Sequence, residues 1–255
     1  MLLAIDVGNT NIVLGCFDGD KILFRERLST NQQATDLEYI SGIKMALDMH
    51  GVEKDAIQDA IISSVVPSVT ATLREAVGKY IRKRVMVVGP GIKTGLSIMI
   101  DNPAQLGSDL VVDAVAGLQE YPAPMIIIDM GTATTLSLIN EKKQYIGGVI
   151  STGMAASMDA LVSRTSQLPK ISFEPPKKII GSNTIDCMKS GILYGTACML
   201  DGMITRMEQE LGQSCTVIAT GGLARIVVPL CTHEMILDDD LLLKGLYAIY
   251  QKNKN

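Results

Sequence analysis

Asp6 stands at the end of an apolar run, Met1 to Ile5, and is followed by Gly8, Asn9, Thr10 and Asn11 before apolar residues resume at Ile12 to Leu14. A carboxylate at the mouth of such a turn can hold a hydrated divalent cation. Gly8 lets backbone approach a ligand closely, and Asn9, Thr10 and Asn11 offer N–H and hydroxyl donors suited to phosphate oxygens. The same residue types build ordinary hairpin turns, so this stretch alone does not choose between a phosphate grip and a plain bend. The pattern then recurs near the middle of the chain. Met125 to Ile127 lead into Ile128, Asp129, Met130, Gly131, Thr132, Ala133, Thr134 and Thr135, and the two segments align without a gap on Asp, Gly and a Thr-rich turn. One such turn in each half is what two similar domains need to grip a polyphosphate from both sides. A third feature, Gly221-Gly222 after the apolar run Thr216 to Ala219, is a bend where a βα turn can pack against a flat base. No G-x-x-x-x-G-K-[ST] is present and no G-x-G-x-x-G follows a strand, which excludes the P-loop and the Rossmann dinucleotide site.

These turns need strands on both sides. Asp18-Gly19-Asp20 is a turn signal, and Lys21 to Arg27 alternates well enough for a third antiparallel strand. Apolar residues recur at helical spacing from Asp36 to His50, with Thr35 as N-cap and Gly51 as stop. Ala60 to Val66 reads as a buried strand ended by Pro67, Val69 to Ile81 as a helix, and Val85 to Val88 as a short strand. Ser108 to Tyr121 is a predicted helix capped by Ser108 and closed by Pro122 and Pro124, and on spacing alone Asp109 is a first-turn carboxylate favoured by the helix dipole. The second half repeats the meander as Met125 to Met130, Thr134 to Ile139 and Tyr145 to Ile150. A helix at Met154 to Arg164, an extended or edge stretch at Leu168 to Lys178, a long helix at Thr184 to Leu211 and a final helix at Leu241 to Lys252 complete the reading. Gly191, Gly195 and Gly202 in the long helix are spaced for a close helix crossing, expected within the molecule rather than between subunits. Strands and helices alternating after an antiparallel meander predict an α/β fold of mixed sheets flanked by helices, in two halves, 1–121 and 122–255.

Composition narrows the partners. Hydrophobic residues make up 47% of the 255 and charged residues 20%, which excludes a disordered or fibrous chain. A net charge of -4 leaves no basic footprint for nucleic acid. The 5 cysteines are odd in number and dispersed, and His50 and His233 are the only histidines, so neither a disulfide framework, a zinc centre nor a His-based triad is indicated. Met1 to Ile5 is too short for a signal-peptide core, and no apolar run approaches the ~20 residues of a membrane span. The expectation is a soluble, unprocessed, cytoplasmic protein with no membrane partner.

The order Asp-x-Gly turn, Asp-x-Gly turn, Gly-Gly resembles the superfamily of acetate and sugar kinases, Hsp70-type chaperones and actin, whose two ribonuclease-H-like halves close on ATP in the cleft between them. Within it, I-D-x-G-N-T-N at 5–11, N-P-x-x-x-G-x-D at 102–109, D-x-G-T-A-T-T at 129–135, G-G-V-I at 147–150, G-S-N-T at 181–184 and S-G-I-x-x-G at 190–195 resemble type III pantothenate kinase over nearly the whole chain. The resemblance implies ATP-dependent phosphorylation of pantothenate to 4'-phosphopantothenate, the first step of coenzyme A biosynthesis, by a homodimer using magnesium and potassium or ammonium. It implies a first phosphate loop of Asp6, Val7, Gly8, Asn9, Thr10, Asn11, Ile12 and Val13, with Asp6 positioning magnesium. Gly131, Thr132, Gly221 and Gly222 complete the implied ATP contacts, and Asp129 matches the ligand of the monovalent cation. Asp109 matches the base that takes the proton from the pantothenate hydroxyl, a role suited to phosphoryl transfer, which asks mostly for positioning and charge neutralisation. Ile100, Gly107, Ser108, Asp109, Leu110 and Thr184 fall on the pantothenate site, Thr184 near the subunit interface. Two of these depart from the family pattern, which has arginine at 110 to hold the pantothenate carboxylate and tyrosine at 100. Removing a bidentate charge-assisted pair costs about 2–5 kcal/mol if its partner stays buried. Two further readings therefore stay open: a kinase of this fold with an acceptor lacking that carboxylate, and a nucleotide-binding regulatory protein without turnover.

Overall fold

A computed structural model describes residues 1–254. Strand β1 (Leu2–Val7) is buried at every position, as befits a central strand covered on both faces. It pairs antiparallel with β2 (Asn11–Asp18), which pairs antiparallel with β3 (Lys21–Ser29). On its other side β1 runs parallel to β4 (Asp59–Ser64), and β4 to β5 (Arg84–Val87), giving the order β3-β2-β1-β4-β5. Helix α1 (Asp36–Met49) starts with a capping box in which Thr35 and Glu38 satisfy each other's backbone N–H groups. Helix α2 (Pro67–Ile81) begins at the proline expected to end a strand. The missing N–H of Pro67 is one that a helix start leaves unsatisfied anyway, so the helix opens two residues before the expected Val69. Ile43 and Leu47 of α1 and Leu73 and Val77 of α2 pack with Leu3, Ile5, Ile12 and Leu14 in one core, each such side chain contributing roughly 1.5–3 kcal/mol by leaving water.

A short strand, β6 (Ser97–Ile98), precedes α3 (Ser108–Glu120). The second meander follows as β7 (Met125–Met130), β8 (Ala133–Ile139) and β9 (Gln144–Thr152), then α4 (Met154–Ser163) and α5 (Thr184–Leu211). Strand β10 (Thr216–Thr220), a short α6 (Ala224–Val227), β11 (Ile236–Leu237) and α7 (Leu241–Asn253) end the series. The second sheet has the order β11-β10-β7-β8-β9-β6. Without β6 it repeats the first sheet strand for strand, including the two antiparallel and two parallel pairings. Residues 168–178, expected to be an extended or edge stretch, form no strand. Leu193, Ala197, Leu200 and Ile204 of α5 pack on Ile126, Ile128 and Leu136. Gly191, Gly195 and Gly202 lie on other faces of α5, where an added Cβ would meet open space. The close crossing expected there within the chain is made instead by Gly245 of α7, where a Cβ would overlap the Val112 carbonyl of α3.

The chain divides into two compact units, Met1–Leu96 with Asn102–Gln119 and Asp240–Asn255, and Ser97–Asp101 with Glu120–Asp239. The single boundary expected at 121/122 misses two exchanges. Leu243, Leu246 and Ile249 of α7 pack with Leu2, Ala4 and Ile61, so the last helix covers the face of the first sheet opposite α1 and α2. Conversely, β6 pairs with β9 in the second sheet. Among the described residues no helix is long and apolar enough to cross a membrane.

Candidate active site

The first turn is short and braced. Gly8, Asn9 and Thr10 connect β1 to β2, and the Gly8 N–H donates to Asn11 O at 3.0 Å. A Cβ on Gly8 would lie 3.2 Å from that same oxygen. From beyond β3, Thr30 donates its hydroxyl to Gly8 O at 2.6 Å and its N–H to Thr10 O at 3.0 Å. Thr30 is a site residue the sequence reading passes over, because a Ser-Thr pair after a strand looks like any loop. Asn9, Thr10 and Asn11 are exposed, whereas Val7 and Ile12 are fully buried in the core. Of the implied first loop, Asn9, Thr10 and Asn11 therefore present side chains, Val13 is half-buried, and Val7 and Ile12 set the turn by packing. Asp6 is 8% exposed and pairs in register with Val13 on β2 and Ser63 on β4. Alternation along β1 turns Asp6 to the same face as Leu2 and Ala4, the face on which Val112 and Val115 of α3 pack.

That parity brings the start of α3 to Asp6's side of the sheet. Ser108, expected to cap its own helix, bonds to β4 instead: its hydroxyl donates to Ser64 O at 2.9 Å and accepts from Ser64 N–H at 3.2 Å and Ser63 Oγ at 3.1 Å. Asp109 Oδ1 accepts from Leu110 N–H at 2.8 Å. Burial pushes the Asp109 carboxyl above the usual carboxylate range, and the Leu110 N–H offsets only part of this. Gly107 precedes it, and a Cβ there would overlap Asp109 Oδ1. Leu110 is half-buried in the same first turn.

In the second unit, Gly131 and Thr132 connect β7 to β8, and Gly131 N–H donates to Ala133 O at 3.0 Å. Asp129 is in register with Thr135 on one side and Thr220 on the other. Gly221 has φ +96°, and its Cβ would lie 2.6 Å from both Asp129 Oδ1 and Met130 N, so only glycine fits on both counts. Gly222 beside it is exposed. Gly153, the N-cap of α4, packs against the same turn: a Cβ there would overlap the Thr132 carbonyl oxygen. Gly153 is a second residue missed from sequence, because only the fold brings it to Thr132. Thr135 Oγ1 is buried with no hydrogen-bond partner among the described residues.

The remaining residues are spread more widely. Ile100 is half-buried in the second unit, while Gly107, Ser108, Asp109 and Leu110 belong to the first. Thr184 opens α5 after its cap Asn183, whose side chain accepts from Asp186 N–H at 2.9 Å. It lines a cavity of about 790 Å³ with Leu161, Leu168, Cys187, Met188 and Ile192.

Two sheets of one strand order, each with an Asp-x-Gly turn between its first two strands, define the fold class of sugar kinases and actin. Solved structures of this fold include component A of (R)-2-hydroxyglutaryl-CoA dehydratase from Acidaminococcus fermentans, with TM-score 0.58, 14% identity and 98% of each chain covered. A protein described as a candidate 2-dehydro-3-deoxygalactonokinase from Sinorhizobium meliloti aligns with TM-score 0.58 and 13% identity over 100% of this chain and 97% of that one. Within the class, residues 2–206 match the family model Type III pantothenate kinase, and this chain belongs to that family. The type III pantothenate kinase of Halalkalibacterium halodurans is 46% identical over 99% of this chain and 100% of its own. That of an Exiguobacterium species is 45% identical over 100% of both.

Proposed function

We propose that this chain transfers the γ-phosphoryl group of ATP to the hydroxyl of pantothenate, giving 4'-phosphopantothenate, as the first step of coenzyme A biosynthesis. The observation that carries the reading is Asp109: a desolvated carboxylate on the first turn of α3, over the sheet face to which Asp6 points. Asp109 takes the proton of the attacking hydroxyl, and burial makes it a stronger base than an exposed aspartate. In the first unit Asn9, Thr10 and Asn11 offer donors to phosphate oxygens, and in the second Gly131 and Thr132 do the same. Gly221 and Gly222 would offer a flat surface to the nucleotide's purine ring.

Asp6 is the residue that would hold magnesium. Among the described residues no three His, Cys, Asp or Glu gather into a metal-holding group, and one carboxylate completed by water and phosphate oxygens is a donor set that magnesium takes. Bound there, magnesium would supply positive charge to offset the negative charge on the oxygens of the transferred phosphoryl group. Asp129 would hold potassium or ammonium, and the unpartnered Thr135 hydroxyl opposite it offers a further oxygen. The open glycine face of α5 supports a homodimer, which sedimentation velocity would read.

The test is purified protein with ATP, magnesium, potassium and pantothenate, read by product mass. Asp109→Asn is expected to lower turnover about 10²–10⁴-fold. ATP binding without turnover on pantothenate overturns the reading. The sign of the pH effect follows from the raised carboxyl. The folded state holds more protons than the unfolded between the ordinary and the raised value, so stability falls as pH rises through that window. Above it, Asp109→Asn is expected to melt no lower than wild type. Turnover in the wild type should fall as pH drops through the raised value, at higher pH than an exposed aspartate would give.

Leu110 favours a second reading, in which the acceptor lacks the carboxylate. Leu110→Arg is expected to lower the KM for pantothenate about tenfold by adding a charge-assisted pair. An unchanged KM favours the second reading.

A further inference from the structure

We propose that the Ser108 hydroxyl is a positioning group: it fixes the first turn of α3, and with it the Asp109 carboxylate, to the end of β4. The inference rests on Asp109 being the base. A serine hydroxyl has one proton to give and two lone pairs to share. Ser108 uses all three, giving its proton to Ser64 O and accepting from Ser64 N–H and Ser63 Oγ. No capacity is left for the substrate contact that family resemblance assigns to this position. Nor is the hydroxyl a helix cap, since each of its bonds goes to β4.

The place it is tied to is firm. Ser63 is fully buried and in register with Asp6, so the anchor is the strand beside the first phosphate turn. Ser64 Oγ accepts from Val66 N–H at 3.1 Å and from Thr70 Oγ1 at 2.7 Å, which locks the same strand end to the start of α2. Asp109 depends on such a tie, because among the described residues backbone N–H groups alone hold its carboxylate. Where the α3 backbone goes, the carboxylate follows. Gly107 leaves room for it: a side chain there would displace Oδ1. A base displaced by an ångström is far less effective, since proton transfer needs heavy atoms at hydrogen-bond distance.

Steady-state kinetics across pH for wild type, Ser108→Ala, Ser108→Thr, Ser63→Ala and Asp109→Asn test this. Ser108→Ala should lower kcat about tenfold and move the acid limb of the kcat profile, with both KM values within about threefold, as expected when stabilisation specific to the transition state is removed. Ser108→Thr keeps the hydroxyl and should restore kcat to within about threefold of wild type. Ser63→Ala removes one of the three bonds and should lower kcat about two- to threefold, which keeps the test open if Ser108→Ala is unstable. Wild-type kcat in Ser108→Ala overturns the proposal, as does a higher pantothenate KM at constant kcat, which would make Ser108 a substrate-binding group. Equal losses in Ser108→Ala and Ser108→Thr that track their melting temperatures also overturn it. Turnover retained in Asp109→Asn removes the base and the positioning role together, whereas an inactive Asp109→Asn beside a normal Ser108→Ala removes the positioning role alone.

Discussion

The turn after β1 and the turn after β7 start from one sequence pattern and reach different geometries. Three residues connect the first pair of strands and two the second. Asp6 consequently faces Val13, a hydrophobe, while Asp129 faces the hydroxyl-bearing Thr135. The first turn shows polar side chains to solvent and is propped from outside by Thr30. The second is also exposed at Gly131, Thr132 and Ala133, but backbone packs closely against it at Gly153 and Gly221. The first turn is held by hydrogen bonds from Thr30, and the second, with its carboxylate between two threonines, by close-packed glycines. The gapless alignment of the two copies conceals a one-residue shortening whose effect is chemical, because it decides what stands opposite the aspartate.

Substitutions can break this contrast, and the largest effect is expected at Gly153. Gly153→Ala puts a methyl into the Thr132 carbonyl, backbone that cannot swing aside, and should cost about 3 kcal/mol or more in urea unfolding. A loss below ~1 kcal/mol would mean that the second turn is as tolerant as the first. Thr30→Val removes the brace of the first turn. It should cost about 1–2 kcal/mol and raise the KM for ATP several-fold, with potassium dependence unchanged. A shift in potassium dependence would show that the two turns do not act separately. The smallest effect is expected at Thr135→Val, which replaces a buried hydroxyl with no partner among the described residues. Without potassium it should be neutral or stabilising by up to about 1 kcal/mol, and the rise in melting temperature on adding potassium should shrink. Undiminished stabilisation by potassium would show that Thr135 takes no part in any potassium site at Asp129.

Much of the fold was legible because its signals are local. The strand from Met125 to Met130, the helix from Thr184 to Leu211 and the Thr35 cap come from alternation, helical spacing and short-range hydrogen bonding. The failures are non-local. Ser108 has the composition of a cap, but its hydroxyl bonds to β4 rather than to the N–H groups of its own helix, and tertiary packing decides that competition. Pro67 reads as a strand end and serves as a helix start. Leu243, Leu246 and Ile249 show that α7 has an apolar stripe without saying which sheet it will cover. In the site, the two aspartate turns were visible as sequence, while Thr30 and Gly153 reach them only through the fold.

The placement of α7 sets an order of assembly. Chain synthesis delivers β1 to β5 well before residues 241–253, a delay on the order of ten seconds at ~5–20 residues per second. Throughout it, the face of the first sheet bearing Leu2, Ala4, Phe17 and Ile61 has only α3 against it, through Val112 and Val115, and lacks α7, which completes its cover. The second unit, continuous from Glu120 to Asp239 except for the β6 segment, has all its own strands by then. The unit made first is thus completed last, and the nascent chain carries an apolar surface that a chaperone can hold until its final helix arrives.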